Sequence, residues 1–205
     1  MKESELVIGK RYFSYKNEPY YIVEKSNDCS RIYFPDTGNF QVESNISFRA
    51  NHIRDFSRKH FFGVGYVSST KEAPFFYKER KEKSFVRWLS LLERCYGAKK
   101  TGALVCDEWH DYSNFKKWYL KNKPLDDAFE LDKDLLSKER KIYSPETCCF
   151  LPTSINTTLR HVHTPLSDTS PMVIVKLMLL TSRCKNLLSP EAKKALYLMF
   201  KNYAN

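Results

Sequence analysis

The spacing of hydrophobic residues changes along this chain, and the change restricts its fold more than any other feature of the sequence. In the first 70 residues, apolar and polar side chains occur in short β-like runs at 11–15, 20–24, 31–34, 40–44 and 46–48. Turn-forming tetrapeptides at 16–19 and 35–38 separate the earlier runs. Several short strands in so little chain predict a small SH3-like β module over residues 1–70.

Helical periodicity replaces this pattern over most of the rest of the chain, so the sequence predicts an α+β fold. Over residues 78–96, apolar side chains recur on one face and basic residues occupy the others. A second central helix is predicted over residues 112–122. Two more helices are predicted in a C-terminal tail, residues 166–205, the second of them with Ser189 as its N-cap.

The composition favours a nucleic-acid partner. The chain has 34 Lys and Arg against 24 Asp and Glu, a net charge of +10, and nucleic acid is the commonest polyanion that such a protein binds. A basic surface that only confers solubility is the alternative.

The cysteine spacing and the hydropathy of the chain indicate its cellular compartment. The six cysteines form no CxxC pair, so we expect reduced thiols and no zinc site. No run of the chain is apolar and long enough to span a bilayer, and the first residues lack the apolar stretch of a secretion signal. We therefore expect a cytoplasmic protein that does not enter membranes.

The candidate chemistry lies in residues 129–160. The pattern there predicts a strand at 129–136, a polar turn, a second strand at 148–151 and a helix that begins near Pro152. Alternate residues of a strand share a face, so Asp132 and Asp134 are predicted to point the same way, and Asn156 can approach them from the helix. Two carboxylates and one amide oxygen are ligands that suit Mg²⁺ or Mn²⁺.

The same region resembles phage-encoded proteins of the HNH endonuclease group. The likeness rests on five strings of residues: LDKDLL (131–136), YSP (143–145), TC (147–148), FLP (150–152) and IN (155–156). Further matches, such as VCDEW at 105–109 and RCY at 94–96, extend it over roughly residues 10–160. The resemblance implies a ββα-metal fold within residues 71–165, duplex DNA as substrate, and metal-dependent hydrolysis of a phosphodiester bond in a bacterial host cell.

The resemblance also assigns positions. Asp132 falls at the first metal-ligand position and Asn156 at the last. Lys133 stands where the family has its His general base, and Thr147 stands where the family has an Asn that holds the loop. Because lysine has a pKa of about 10.4, Lys133 is expected to be a cation that contacts a phosphate.

Loss of the usual base leaves several replacements open: Asp134, a metal-bound water, His161 or His163. The residues expected to contact DNA are Lys133, Lys138, Arg140, Lys141, Arg160, Lys81, Lys83 and Arg87. The C-terminal helices are expected to allow self-association or to bind a protein partner.

Three functions remain open from the sequence. The first is a metal-dependent DNA endonuclease or nickase of the homing type. The second is an inactive relative that binds DNA as a regulator or inhibitor. This hypothesis rests on the absence of a His at position 133. The third is an interaction protein whose basic surface meets an acidic protein partner.

Overall fold

The computed structural model describes residues 6–99, 101–123, 128–137, 141–162 and 168–204. The chain divides into two compact units: unit 1 contains residues 1–101 and 107–117, and unit 2 contains residues 102–106 and 118–205. These limits differ from the boundaries at residues 70 and 165 that the sequence suggested. The fold is α+β, as predicted.

Unit 1 is built on a five-stranded sheet. Its strands, which lie in chain order across the sheet, are β1 (Arg11–Phe13), β2 (Pro19–Lys25), β3 (Cys29–Phe34), β4 (Asn39–Ser44) and β5 (Phe75–Phe76). The first four strands are antiparallel, and β5 pairs in parallel with β4. Tyr20, Ile22, Ile32 and Phe34 point inward from β2 and β3 and form a core with Phe48.

The predicted strand at residues 46–48 is wrong. Those residues belong to a short helix, α1 (Asn45–Arg49). The hydroxyl of Ser44 accepts a hydrogen bond from the Ser47 N–H and caps the helix. In a strand, this N–H would need a partner on a neighbouring strand.

A row of polar side chains is buried on the inner face of β4. Asn39, Gln41 and Glu43 alternate along the strand and are at most 2% exposed. Asn39 donates to Gln41 (3.1 Å), Gln41 donates to Glu43 (2.9 Å), and the Arg80 guanidinium forms an ion pair with Glu43. Burial raises the pKa of Glu43 despite the opposing effect of Arg80. The row links β4 to the segments packed beneath it.

The two central helices are present with one changed boundary. The predicted helix at 78–96 is a 3₁₀ turn (Tyr77–Lys81) followed by α2 (Lys83–Tyr96), and α3 spans Tyr112–Asn122. Within α2, Trp88 is fully buried and donates its indole N–H to the Trp109 carbonyl at 2.7 Å.

The described part of unit 2 combines two pairs of short strands with three α-helices that follow the end of α3. The strand pairs are β6 (Leu104–Val105) with β8 (Ile142–Tyr143), and β7 (Phe129–Asp132) with β9 (Cys149–Pro152). The helices are α4 (Thr153–Leu159), α5 (Pro171–Arg183) and α6 (Pro190–Ala204). The Ser189 hydroxyl accepts from the Ala192 N–H at 3.2 Å, which confirms the predicted cap of α6.

The tail helices complete the core of unit 2 rather than standing apart. Leu177 of α5 and Leu196 of α6 are fully buried with Leu151 of β9 and Ile155 of α4. The described helices include none that is both long and apolar enough to cross a membrane.

Replacing Leu177 with Ala is expected to lower the free energy of unfolding by about 2–5 kcal/mol, because the change leaves a cavity in this core. Denaturant unfolding measures the effect. The control is Met172→Ala on the same helix, where the side chain is 75% exposed and the change should stay within about 0.5 kcal/mol. Equal effects of the two variants would contradict the packing described.

Candidate functional site

The predicted order of strand, loop, strand and helix is present in unit 2. β7 and β9 are antiparallel, with Glu130 opposite Leu151 and Asp132 opposite Cys149. Helix α4 begins directly after β9. The Thr153 N–H and hydroxyl both donate to the Ala128 carbonyl, at 2.9 and 3.1 Å, so the start of the helix is tied to the start of β7.

The first strand ends four residues earlier than predicted, at Asp132. The Asp132 carboxylate accepts a hydrogen bond from the Leu135 N–H at 2.8 Å, and such a bond turns the chain. Asp134 therefore lies in the turn with its side chain 71% exposed. The prediction that Asp132 and Asp134 share one face of a strand is wrong.

Asp132 itself is a buried carboxylate. It is 8% exposed, and burial raises its pKa above the usual value, although the hydrogen bond from Leu135 acts in the opposite direction. A carboxylate in this setting has lost much of its hydration and is stabilised by a nearby cation.

Asn156 lies against Glu130, a residue that sequence reasoning missed. The Asn156 amide nitrogen donates to the Glu130 carboxylate, and Arg160 reaches the same oxygen at 3.4 Å. Glu130 and Asp132 are alternate residues of β7 and share a face, so Asn156 packs on the face that carries Asp132. Because Glu130 holds the amide nitrogen, the amide oxygen is the atom of Asn156 left for a cation. The sequence does contain a signal for Glu130, because alternation along a strand puts residues 130 and 132 on the same face.

Lys133 is held as a cation. Its ammonium group forms an ion pair with Asp134 and lies 5.5 Å from the centroid of the Tyr143 ring. Burial acts to lower the pKa of Lys133, but the hydrogen bond and charge of Asp134 outweigh it, and the net direction is upward. A raised pKa favours the protonated form, so Lys133 does not suit the base position to which the resemblance assigns it.

Thr147 fixes the loop between β8 and β9. Its hydroxyl donates to the Ile142 carbonyl at 2.7 Å and accepts from the Ser144 N–H at 3.0 Å. These two bonds hold the loop, the task that the resemblance assigns to an Asn. Burial of the neighbouring Cys148 raises the pKa of its thiol to about 12, so this group is not a reactive nucleophile.

The remaining predicted contacts are spread over both units. Lys141, Arg160 and His161 are exposed in unit 2, whereas Lys81 and Lys83 are exposed and Arg87 is partly buried in unit 1. Lys138, Arg140 and His163 lie outside the described residues. Across the described ranges, no three His, Cys, Asp or Glu side chains are grouped so as to hold a metal ion.

Asp132→Asn is expected to raise the free energy of unfolding at pH 7 and to have a smaller effect at acidic pH. The raised pKa of Asp132 means that its ionised form disfavours folding, so wild type loses stability as the pH rises from the unfolded pKa through the folded one. The Asn variant keeps the acceptor for Leu135 and removes the charge.

Urea unfolding between pH 3 and pH 7 measures this difference. Asp107→Asn, where the side chain is fully exposed, is the control and should have little effect because exposed ion pairs contribute little. An Asp132→Asn effect that is the same at every pH would contradict the burial of an ionised carboxylate.

Comparison of the chain with protein-family models, curated proteins and solved structures gives no match. Any function must therefore be inferred from the side chains of β7, β9 and α4.

Proposed function

We propose that the protein is a divalent-metal-dependent DNA endonuclease or nickase of the HNH type, with Asp132 and Asn156 as metal ligands. The observation that carries the proposal is the contact of Asn156 with Glu130, because it puts the helix amide on the strand face that bears Asp132. The order β7, β9, α4 and the loop held by Thr147 agree with this proposal.

The donor atoms fit a hard cation. A buried carboxylate and an amide oxygen are ligands that Mg²⁺ and Mn²⁺ accept, and two protein ligands leave positions for water and a phosphate oxygen. When bound, the ion supplies charge stabilisation to the phosphate and to the departing 3′ oxygen. The described residues include no group of three acidic, His or Cys ligands, so we expect weak binding and an assay with the metal at roughly millimolar concentration.

The other residues of the site have separate tasks in this proposal. Glu130 orients the Asn156 amide, as outer-shell partners of metal ligands commonly do. Lys133 and the exposed Lys141 and Arg160 bind phosphates of the DNA backbone. Asp134 is the candidate base, because its exposed carboxylate can take a proton from water.

Cleavage of supercoiled plasmid in Mg²⁺ or Mn²⁺ tests the proposal. Chelator should abolish nicking, and Asp132→Ala or Asn156→Ala should slow it by about 100-fold or more, because each removes a ligand. Asn202→Ala, an exposed amide on α6, is the matched control and should nick at the wild-type rate. Nicking that survives both ligand variants would place the activity elsewhere.

An inactive DNA-binding relative is the second candidate, favoured by the cationic Lys133 at the position of the family's base. Under this candidate, the protein binds duplex DNA tightly and no metal supports cleavage. Tight binding without cleavage at any metal concentration would therefore replace the first proposal with this one.

Lys133→Ala is expected to weaken duplex binding under both candidates and to reduce the slope of log K against log salt by about one, because one phosphate contact is lost. Lys194→Ala, an exposed lysine of α6, is the control and should leave the slope unchanged. A Lys133 variant with the wild-type slope would show that this residue does not contact phosphate.

A further inference from the structure

The outer face of the sheet in unit 1 carries a row of aromatic side chains. Tyr21, Tyr33 and Phe40 are directly opposite one another across β2, β3 and β4. All three are partly exposed, and the Tyr33 and Phe40 ring centroids are 4.6 Å apart. Phe13 on β1 and Phe76 on β5 extend the row to both edges and are 52% and 44% exposed.

Two guanidinium groups lie within this row. Arg31, next to Tyr33 on the same face of β3, has its guanidinium 5.4 Å from the Phe40 centroid. Arg11, opposite Tyr21, has its guanidinium 5.0 Å from the Phe13 centroid. Among the described strand residues on this face, Glu24 carries a negative charge. Its carboxylate forms an ion pair with one terminal nitrogen of Arg31 at 3.0 Å.

Arg31 has hydrogen-bonding capacity that the described part of the chain does not use. Its Nε and its second terminal nitrogen are buried and have no hydrogen-bond partner among the described residues. These two donors can reach a ligand only if the Arg31 side chain moves outward. A guanidinium beside aromatic rings suits a ligand that offers both anionic oxygens and flat rings.

We propose that this aromatic face, defined by Phe13, Tyr21, Tyr33, Phe40 and Phe76 with Arg11 and Arg31, binds single-stranded nucleic acid by base stacking. Stacking on exposed aromatic rings is how sheet surfaces bind unpaired bases, and arginine adds contacts to phosphate. Paired bases do not offer their flat faces, so duplex DNA is a poor ligand for this surface. The net charge of +10 favours a nucleic acid over an apolar protein segment.

This binding surface lies within unit 1 and does not depend on the proposed metal centre, whose residues belong to unit 2. The two proposals can therefore fail separately. Asp132→Ala, which tests the metal centre, should bind a single strand as wild type does.

Fluorescence anisotropy with a labelled oligothymidylate tests the proposal, with a duplex of equal length and inorganic polyphosphate as competitors. Tyr33→Leu and Phe40→Leu keep an apolar side chain on the strand and remove the ring. Each should weaken single-strand binding by about tenfold, as expected for one lost stacked base. Arg31→Lys keeps the charge but loses the planar group and should also weaken binding.

Tyr197→Leu on α6, where the tyrosine is 67% exposed, is the matched control and should bind as wild type does. Phe13→Ala changes an exposed edge residue and provides a test if a central variant fails to fold. The proposal would be overturned if the same concentration of polyphosphate displaced oligothymidylate from wild type and from Tyr33→Leu. Affinities of the Leu variants and Phe13→Ala within twofold of wild type would also overturn it.

Discussion

The antiparallel pairing of β7 with β9 is the interaction on which the candidate site depends. It sets Glu130 opposite Leu151, and Leu151 is fully buried in the core that the tail helices complete. The face that bears Glu130 and Asp132 is therefore continuous with a hydrophobic core. This explains why Asp132 is desolvated, with a raised pKa, although it stands at the end of a two-stranded ribbon. The same packing positions α4, and with it Asn156.

Local patterns in the sequence predicted the type and order of most elements, including the ribbon, α4 and the cap of α6. They failed where one side-chain hydrogen bond, or a contact between residues far apart in the chain, decides the structure. The helix at Asn45–Arg49 depends on a serine hydroxyl, and the end of β7 depends on the bond from Leu135 to Asp132. The role of Glu130 could not be assigned, because it follows from a contact with α4, 26 residues later.

Strand β4 reverses the orientation that its residues suggest. Alternation of Asn39, Phe40, Gln41, Val42 and Glu43 would ordinarily put the apolar side chains inward. In the structure the polar side chains point inward, because Gln41 exchanges hydrogen bonds with the Arg54 carbonyl and the Phe56 N–H, and Glu43 pairs with Arg80. Phe40 is consequently left on the outer face. The register of β4 therefore has two effects: it places the polar network inside, and it places Phe40 in the aromatic row outside.

The division of the chain between the two units has a consequence for how such a protein can change over evolutionary time. Residues 102–106 belong to unit 2, yet residues of unit 1 precede and follow them. Neither unit is a continuous stretch, so a single recombination event after residue 117 would carry unit 1 but would also separate β6 from β8, its partner in unit 2. The two units are therefore expected to be inherited together, and new specificity to arise by substitution within them rather than by exchange of modules.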